Sequence, residues 1–507
     1  MESQSYNNKR IFKNTIILYV RMVIVLLITL YTSRVVLKAL GVDDFGLYNV
    51  VGGVVALLSF FNVTMARSTQ RFLNVAMVEG GNMLSKIFAS SITVHLMFVI
   101  IFLVLGETVG LWFLNAKINI PEGRELAANI VYQASIVSFC ISIISIPYNA
   151  AVIAYERMGF LALIGIIDAV VKLGIAFLVL NSSNDRLILY GVLLLCVTLL
   201  NLLMYIIYCR IKYPILKFRI SLDKNDFKQI FSFVSWTLVG EAAQVGCNHG
   251  NVILVNLFHS LSANAAMTVG GQINNALYGL TSNFQTAFIP QITKSYTEGN
   301  FGYLRALVYS SSKLSYWILF VVALPVSFNI DWILSVWLEE VPPMSNIFAI
   351  LFLINALLNA LCTPFQYVVL SNKNIRNFQL ISSFVYLIDL PLAYLLFTLG
   401  LPAPTVILVK IGTMVVITFI RFLYASKIVP DIKIVEYILH ILVPIIAISA
   451  LFAIIAIVFN NNLYGVSTRL LYTLIMEIIC VISVLIFGLE KRERELLKSY
   501  VRFNRTK

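Results

Sequence analysis

The sequence contains few charged residues. Asp, Glu, Lys and Arg make up 12% of its 507 residues, whereas about 25% is usual in a soluble domain. Hydrophobic residues make up 60% of the chain, so long apolar stretches separate the charged positions. This composition excludes a soluble multidomain protein and indicates a helical membrane protein.

Motifs for nucleotide hydrolysis, metal binding and redox chemistry are also missing. The sequence has no Walker-type loop, and its four histidines lack the HExxH spacing. The six cysteines lie in or beside apolar stretches without a CxxC pair, which is typical of small buried side chains. We therefore expect no catalytic residue, no cofactor and no metal, and any transport would be driven by a gradient or by an external partner.

About fourteen apolar stretches are long enough to cross a membrane, which takes about 20 residues as helix. Backbone groups in hydrocarbon have no water to bond, so we predict an all-α polytopic membrane protein. The predicted helices are 16–37, 45–65, 87–113, 127–154, 161–180, 187–208, 230–258, 265–289, 314–330, 347–370, 378–399, 406–424, 438–459 and 470–487.

The basic residues follow the positive-inside rule. With a cytoplasmic N-terminus, 28 of the 37 Lys and Arg fall in cytoplasmic segments, six fall in outward segments, and Arg21, Lys172 and Lys410 lie inside helices. The net charge of +13 is spread over short loops rather than gathered on one face, which argues against a nucleic-acid partner. We expect both termini in the cytoplasm and membrane lipids as partners of the basic tail.

A weak internal repeat predicts two related halves. Val51-Gly52-Gly53 precedes Glu79-Gly80-Gly81 in the first half, and Val269-Gly270-Gly271 precedes Glu298-Gly299-Asn300 in the second. Helix 2 then matches helix 8, so the repeat unit is six helices and the two copies are parallel. We predict a six-helix lobe at 1–209, a basic linker at 210–228, a second lobe at 229–428, helices 13 and 14 at 429–489, and a basic cytoplasmic tail at 490–507.

Polar residues form a stripe on each of helices 7 and 8. Their spacing of three and four residues places them on one face of each helix. The stripes are Glu241, Gln244, Asn248 and Asn251 on helix 7, and Asn264, Thr268, Gln272, Asn275 and Gly279 on helix 8. Hydrogen bonds between helices, worth about 0.6–2 kcal/mol each, are one explanation. Two whole stripes favour a hydrated cavity instead.

Helices 1 and 5 carry charges near their middle. Arg21 is the natural forked partner of a phosphate, although its side chain could also extend to the inner interface. Asp168 and Lys172 lie four residues apart and therefore side by side on helix 5. They form either a self-neutralising pair or part of a substrate site.

Three further intramembrane charges lie in the second half. Asp389 in helix 11 and Lys410 in helix 12 could pair across adjacent helices, with a structural or a functional role. Glu477 in helix 14 has no obvious partner in the sequence and could be protonated through desolvation or could carry protons.

A segment at the exit of helix 1 resembles a known family. Its specific residues are Ser33-Arg34, Leu40-Gly41 and Asp44-Phe45-Gly46-Leu47-Tyr48. The segment resembles the opening signature of bacterial polysaccharide transporters of the multidrug/oligosaccharidyl-lipid/polysaccharide superfamily, the flippases of lipid-linked O-antigen and capsule units. The resemblance implies two helical lobes around a central cavity, which rock to expose each side in turn.

The resemblance also implies a substrate and a location. The substrate would be an undecaprenyl-diphosphate-linked oligosaccharide, moved from the inner to the outer leaflet of the bacterial cytoplasmic membrane for O-antigen, capsule or exopolysaccharide assembly. Arg21 and Lys172 would face the diphosphate, and the stripes of helices 7 and 8 would bind sugar hydroxyls. Helices 13 and 14 would hold the lipid tail. A polysaccharide polymerase and chain-length machinery are possible partners.

Two other functions compete with this one. A drug or organic-cation antiporter of the same superfamily would need acidic residues in the first lobe. Helix 1 offers Arg21 and no acid, although Glu241 keeps this alternative open. An integral glycosyltransferase or polymerase would need a sizeable outward loop, and the longest one, around 115–125, is short. We therefore predict a transporter rather than an enzyme.

Overall fold

The computed structural model describes residues 2–56, 59–117, 120, 122–221, 223–338, 341–460, 466–484 and 488. These residues form helices joined by short connections, which confirms the all-α fold class. The helices are α1 (Glu2–Ala56), α2 (Ser59–Glu79), α3 (Gly81–Leu105), α4 (Leu111–Lys117), α5 (Glu125–Ala154), α6 (Met158–Leu180), α7 (Arg186–Lys212), α8 (Lys224–Phe258), α9 (Leu261–Thr297), α10 (Phe301–Phe328), α11 (Ile330–Trp337), α12 (Ser345–Ser371), α13 (Arg376–Thr398), α14 (Thr405–Ile428), α15 (Ile434–Tyr437), α16 (Val443–Asn460) and α17 (Val466–Ser483).

Each of the fourteen predicted segments overlaps at least one described helix. Two of those segments contain a π-helical turn, Gly106–Gly110 between α3 and α4 and Ile438–Leu442 between α15 and α16. Eleven helices in the described part of the chain are long and apolar enough to cross a membrane. The predicted basic tail at 490–507 lies outside the described residues.

The first predicted segment, 16–37, lies within α1, and the second, 45–65, covers the end of α1 and the start of α2. Helix α1 is interrupted at Gly41. The backbone of Gly41 adopts φ 77° and ψ 174°, a conformation that L side chains rarely adopt. The glycine of the signature segment therefore makes the sharp turn out of helix 1. Arg34, which lies about two helical turns before Gly41, is exposed.

Other signature residues anchor the neighbouring helix ends. The guanidinium of Arg124, just before α5, pairs with Asp44 and also lies 2.5 Å from the carboxylate of Asp185. Asp185 in turn caps α7 by accepting hydrogen bonds from its first amides. The rings of Tyr48 and Tyr190 meet edge to face with centroids 5.0 Å apart. These contacts tie three helices of the first half together.

Packing divides the chain into two compact units, which confirms a two-lobed fold. The first comprises Met1–Ala242, Ile289–Glu298 and Lys373–Leu380. The second comprises Ala243–Phe288, Gly299–Asn372 and the described residues from Ile381 onward. The division falls within α8, and the last residues of α9 and the first residues of α13 pack with the first unit.

Two glycine turns lie at positions that the predicted repeat aligns. Gly80 follows α2 with φ 119°, and Gly299 follows α9 with φ 72°. Both glycines have the positive φ that commonly ends a helix, and both follow a Glu that the repeat aligns.

Ion pairs join Asp223, the residue before α8, and the first turn of α8 to α3. The Nζ atom of Lys86 lies 2.9 Å from the carboxylate of Asp223 and 3.1 Å from that of Asp226. The hydrogen bond from Lys86 holds the pKa of Asp223 below its usual range. The end of the predicted linker is thus attached to the first unit.

The turn at Gly41 generates a prediction. Gly41→Ala should destabilise the protein by about 1–3 kcal/mol, because alanine is strained at this φ and ψ although space for its methyl group is available. Gly174→Ala is the matched control, since Gly174 lies within α6 with equally open surroundings. Alanine should be neutral or stabilising there. Equal unfolding temperatures for the two variants in detergent would contradict this account of Gly41.

Candidate functional site

Arg21 lies against α6 in the first unit. Its guanidinium occupies the space where a side chain at Gly165 would begin, so the glycine makes room for it. Arg21 is also close enough to act electrostatically on Tyr205 of α7. The side chain is partly exposed and makes no ion pair with another described residue.

Asp168 and Lys172 form the pair that their spacing predicts. Lys172 Nζ lies 2.8 Å from Asp168 Oδ2. Asn201 Nδ2 of α7 donates to Asp168 Oδ1 at 2.7 Å. Asp168 also acts on Tyr205, so Arg21, Asp168 and Lys172 share one region of α1, α6 and α7. Because Lys172 is compensated by Asp168, Arg21 supplies the uncompensated positive charge there.

Glu241 has its own cation in the first unit. Arg67 Nη1 of α2 donates to Glu241 Oε1 of α8 at 2.8 Å. The carboxylate side chain is 19% exposed, so the pair is largely shielded from solvent. This pairing lowers the attraction of Glu241 for a cationic substrate.

Predicted helix 7 corresponds to α8. The rest of its polar stripe faces α13 and α14 within the second unit. Gln244 Nε2 donates to the hydroxyl of Tyr386 at 3.4 Å, and Lys410 Nζ donates to Asn248 Oδ1 at 2.8 Å. Asn251 is buried. The structure thus gives this stripe interhelical hydrogen-bond partners, which is the first of the two explanations for it.

Asp389 and Lys410 belong to this polar group without touching each other. Asp389 is buried and accepts a hydrogen bond from the thiol of Cys247 at 3.2 Å. Lys410 contacts Asn248 instead, and no ion pair joins it to Asp389 in the described structure. Asp389 and Lys410 are nevertheless close enough for each charge to act electrostatically on the other.

The helix 8 stripe differs from the helix 7 stripe. Gln272 and Asn275 are exposed on α9, and Thr268 is exposed with its hydroxyl bonded to the backbone of Asn264 at 2.9 Å. The apolar core of the second unit packs on the opposite residues of α9, such as Ala266. Exposed amides at membrane depth require water or protein, which favours a hydrated surface along this face.

Glu477 lies in α17, where its Oε2 atom is buried without a hydrogen-bond partner among the described residues. The sequence suggests no partner for Glu477, and the described structure shows no hydrogen bond to this oxygen atom. Its role in ion coupling stays a prediction.

Sequence reasoning missed a buried carboxylate at the α5–α6 turn. Glu156 has a left-handed backbone, and its side chain is 1% exposed. Arg10 lies 2.7 Å from Oε2, while Gln291 and Lys294 of α9 lie 2.6 and 3.2 Å from Oε1. The partners are more than 130 positions away in sequence. No local pattern could indicate this cluster, which attaches the end of α9 to the first unit.

Comparisons with known proteins now place the fold. No family model and no curated protein matches the chain. Solved structures do match, among them a multidrug resistance MATE family transporter of the MOP superfamily in an outward-facing conformation. It shares 13% identity over 84% of this chain and 97% of that chain, with a TM-score of 0.68. A MATE point mutant gives 12% identity, the same coverage and a TM-score of 0.72.

A third similar structure is a MOP superfamily transporter from Pyrococcus furiosus. It is 13% identical over 84% of this chain and 97% of that chain, with a TM-score of 0.64. Reverse polarity of its binding pocket is described as suggesting a different function. Such low identities establish the fold alone, and that fold is the two-lobed fold of MATE-like transporters.

The buried carboxylate can be tested directly. Glu156→Gln should lower the free energy of unfolding by about 1.5–3 kcal/mol, because it leaves Arg10 and Lys294 without their counter-charge. Glu298→Gln, which removes an exposed acid just beyond α9, should change it little. Thermal unfolding in detergent measures both. Unfolding of the two variants at the wild-type temperature would show that the cluster contributes no stability.

The exposed face of α9 can be tested by labelling. In a cysteine-free background, Asn275→Cys should react with a water-soluble maleimide in proteoliposomes, because the position is exposed on a polar stripe. Ile253→Cys on α8 is the control, since this exposed apolar position should face lipid. If neither cysteine is labelled, the face of α9 at this position is not hydrated.

Proposed function

We propose that this chain is a flippase for lipid-linked oligosaccharides. It moves an undecaprenyl-diphosphate-linked repeat unit from the inner to the outer leaflet of the bacterial cytoplasmic membrane by alternating access. The product supplies O-antigen, capsule or exopolysaccharide assembly, with a polymerase and chain-length machinery as partners. Both termini are cytoplasmic in this proposal, as the charge distribution predicts.

The charge around Arg21 carries the proposal. Two carboxylates within membrane-spanning helices of the first unit, Asp168 and Glu241, are paired with Lys172 and Arg67. Arg21 has no such partner among the described residues, so the region has an excess of positive charge. A planar guanidinium is suited to bind a phosphate through two hydrogen bonds, which favours an anionic substrate.

The chemistry of the substrate agrees with the exposed polar face of α9. A polyprenol tail remains in the hydrocarbon, whereas sugars and a diphosphate cannot enter it without polar partners. The amides of Gln272 and Asn275 supply donors and acceptors for sugar hydroxyls. The fold, which is shared with transporters, supplies two lobes that can move.

The alternative is a cation-coupled multidrug or organic-cation antiporter. The likeness to a multidrug resistance MATE transporter supports it as much as it supports a flippase. An organic cation would need a carboxylate with negative charge to spare. The pairing of Asp168 and Glu241 weighs against this alternative, while Asp389 and Glu477 have no ion pair among the described residues.

Transport assays separate the two functions. Purified protein in proteoliposomes should flip a fluorescent lipid-linked oligosaccharide, and Arg21→Ala should reduce the rate at least tenfold. Loss of a charge-assisted hydrogen bond of about 1.5–3 kcal/mol accounts for that factor. Lys13→Ala is the control, because Lys13 is an exposed cation on the same helix.

The same vesicles should not accumulate ethidium in exchange for protons. Ethidium transport without oligosaccharide flipping would replace the proposal with the antiporter. Flipping at the wild-type rate by Arg21→Ala would remove Arg21 from the substrate path.

A further inference from the structure

A cavity of about 430 Å³ lies within the first unit, and Arg21 is not among the residues that line it. Its walls come from the second half of α2, the first turns of α8 and the residues that begin α13. This volume falls in the range of about 300–1,000 Å³ that is usual for small-molecule sites.

The cavity is lined by four cations and no carboxylate. They are Arg71, Lys228, Lys373 and Arg376. Arg71 is buried, whereas the other three are exposed. Lys228, Lys373 and Arg376 have no ion-pair partner in the described part of the chain. A buried cation with exposed cations around it provides a graded attraction for an anion.

Aromatic rings hold the two guanidinium groups in place. Arg71 lies over Phe72 and Phe233, with its Cζ atom 4.6 and 4.9 Å from the ring centroids. Arg376 lies over Trp236 at 5.1 Å. These cation–π contacts restrict the positions that each guanidinium can take. Such rings also provide flat apolar surface for a sugar.

The first turn of α13 adds further donors. Four consecutive residues, 373–376, line the cavity, and α13 begins at Arg376. The amide of Gln379 bonds back to the carbonyl of Ile375, so the helix starts at the cavity wall. The first amides of a helix have no partner within it and carry the positive end of its dipole. Helix starts of this kind bind phosphate groups.

One acid acts on this region from outside the cavity wall. Glu79, at the end of α2, is close enough to act electrostatically on Arg71 but does not line the cavity. One carboxylate against four cations leaves a clear positive excess. The charge distribution of the sequence predicts that all four cations lie on the cytoplasmic side, where a lipid-linked substrate would arrive.

We propose that this cavity is a binding site for the diphosphate group of the substrate, which is held here before it enters the transport path. The inference rests on the proposed function for the source of the diphosphate. The recognition itself rests on the four cations, the aromatic rings beside the two guanidinium groups and the start of α13. Arg71 at the buried end contacts the phosphate, and the exposed cations neutralise the remaining charge.

Calorimetric titration of the full-length protein in detergent tests the site. Inorganic pyrophosphate and farnesyl diphosphate are the two probes. The double variant Lys373→Gln/Arg376→Gln should weaken the binding of both at least tenfold, because each exposed cation contributes a charge-assisted contact. These exposed positions are chosen because a change at buried Arg71 could prevent folding. Lys217→Gln/Arg219→Gln removes the same charge from an exposed segment outside the cavity and should bind like wild type.

The two probes identify the source of the diphosphate. Equal affinities would show a site for the diphosphate alone, and tighter binding of farnesyl diphosphate would show that the lipid contributes. Both results support the site. The inference is overturned if the wild-type protein binds neither probe, or if both double variants bind with the wild-type affinity.

Flipping assays keep this inference separate from the proposed function. Diphosphate binding that is lost in Lys373→Gln/Arg376→Gln, in a protein that flips no oligosaccharide, would support the site and reject the flippase. Normal flipping with unchanged diphosphate binding in that variant would support the flippase and reject the site.

Discussion

The cost of placing charge in hydrocarbon is the constraint on which the rest of the structure depends. A charged side chain at the centre of a membrane helix costs about 2.5–3.5 kcal/mol on insertion scales, so it needs a partner. Lys172 has Asp168 one turn away, Glu241 has Arg67 on another helix, and Lys410 has the amide oxygen of Asn248. The last two of these contacts join different helices within one unit.

This constraint makes the exceptions informative. Arg21 lies against Gly165 without a carboxylate partner among the described residues, and the cavity between α2, α8 and α13 holds four cations. Both features favour an anion, and they lie in the same unit. A substrate with a diphosphate and a lipid tail would satisfy both.

Sequence patterns predicted local features better than distant contacts. The apolar stretches located the helices, and the four-residue spacing predicted the contact between Asp168 and Lys172. The stripe on helix 7 was recognised, yet its partners on α13 and α14 were not. Lys410 was expected to pair with Asp389, whereas it contacts Asn248. The cluster at Glu156 was missed entirely, since Arg10 and Lys294 lie far from it in sequence. Arg71 and Arg376 were counted only among the cytoplasmic charges, and their contacts with Phe233 and Trp236 were not predicted because these rings are distant in the chain.

The sequence by itself determined that the chain is a bundle of membrane helices with a basic side, because the lengths of apolar stretches and the placement of Lys and Arg are local properties. The sharp turn at Gly41 was seen only in the structure, although glycine is the residue that readily adopts its positive φ. The tertiary structure decided which charges are compensated and which are not. Compensation depends on distances between side chains on different helices, and helix packing sets those distances.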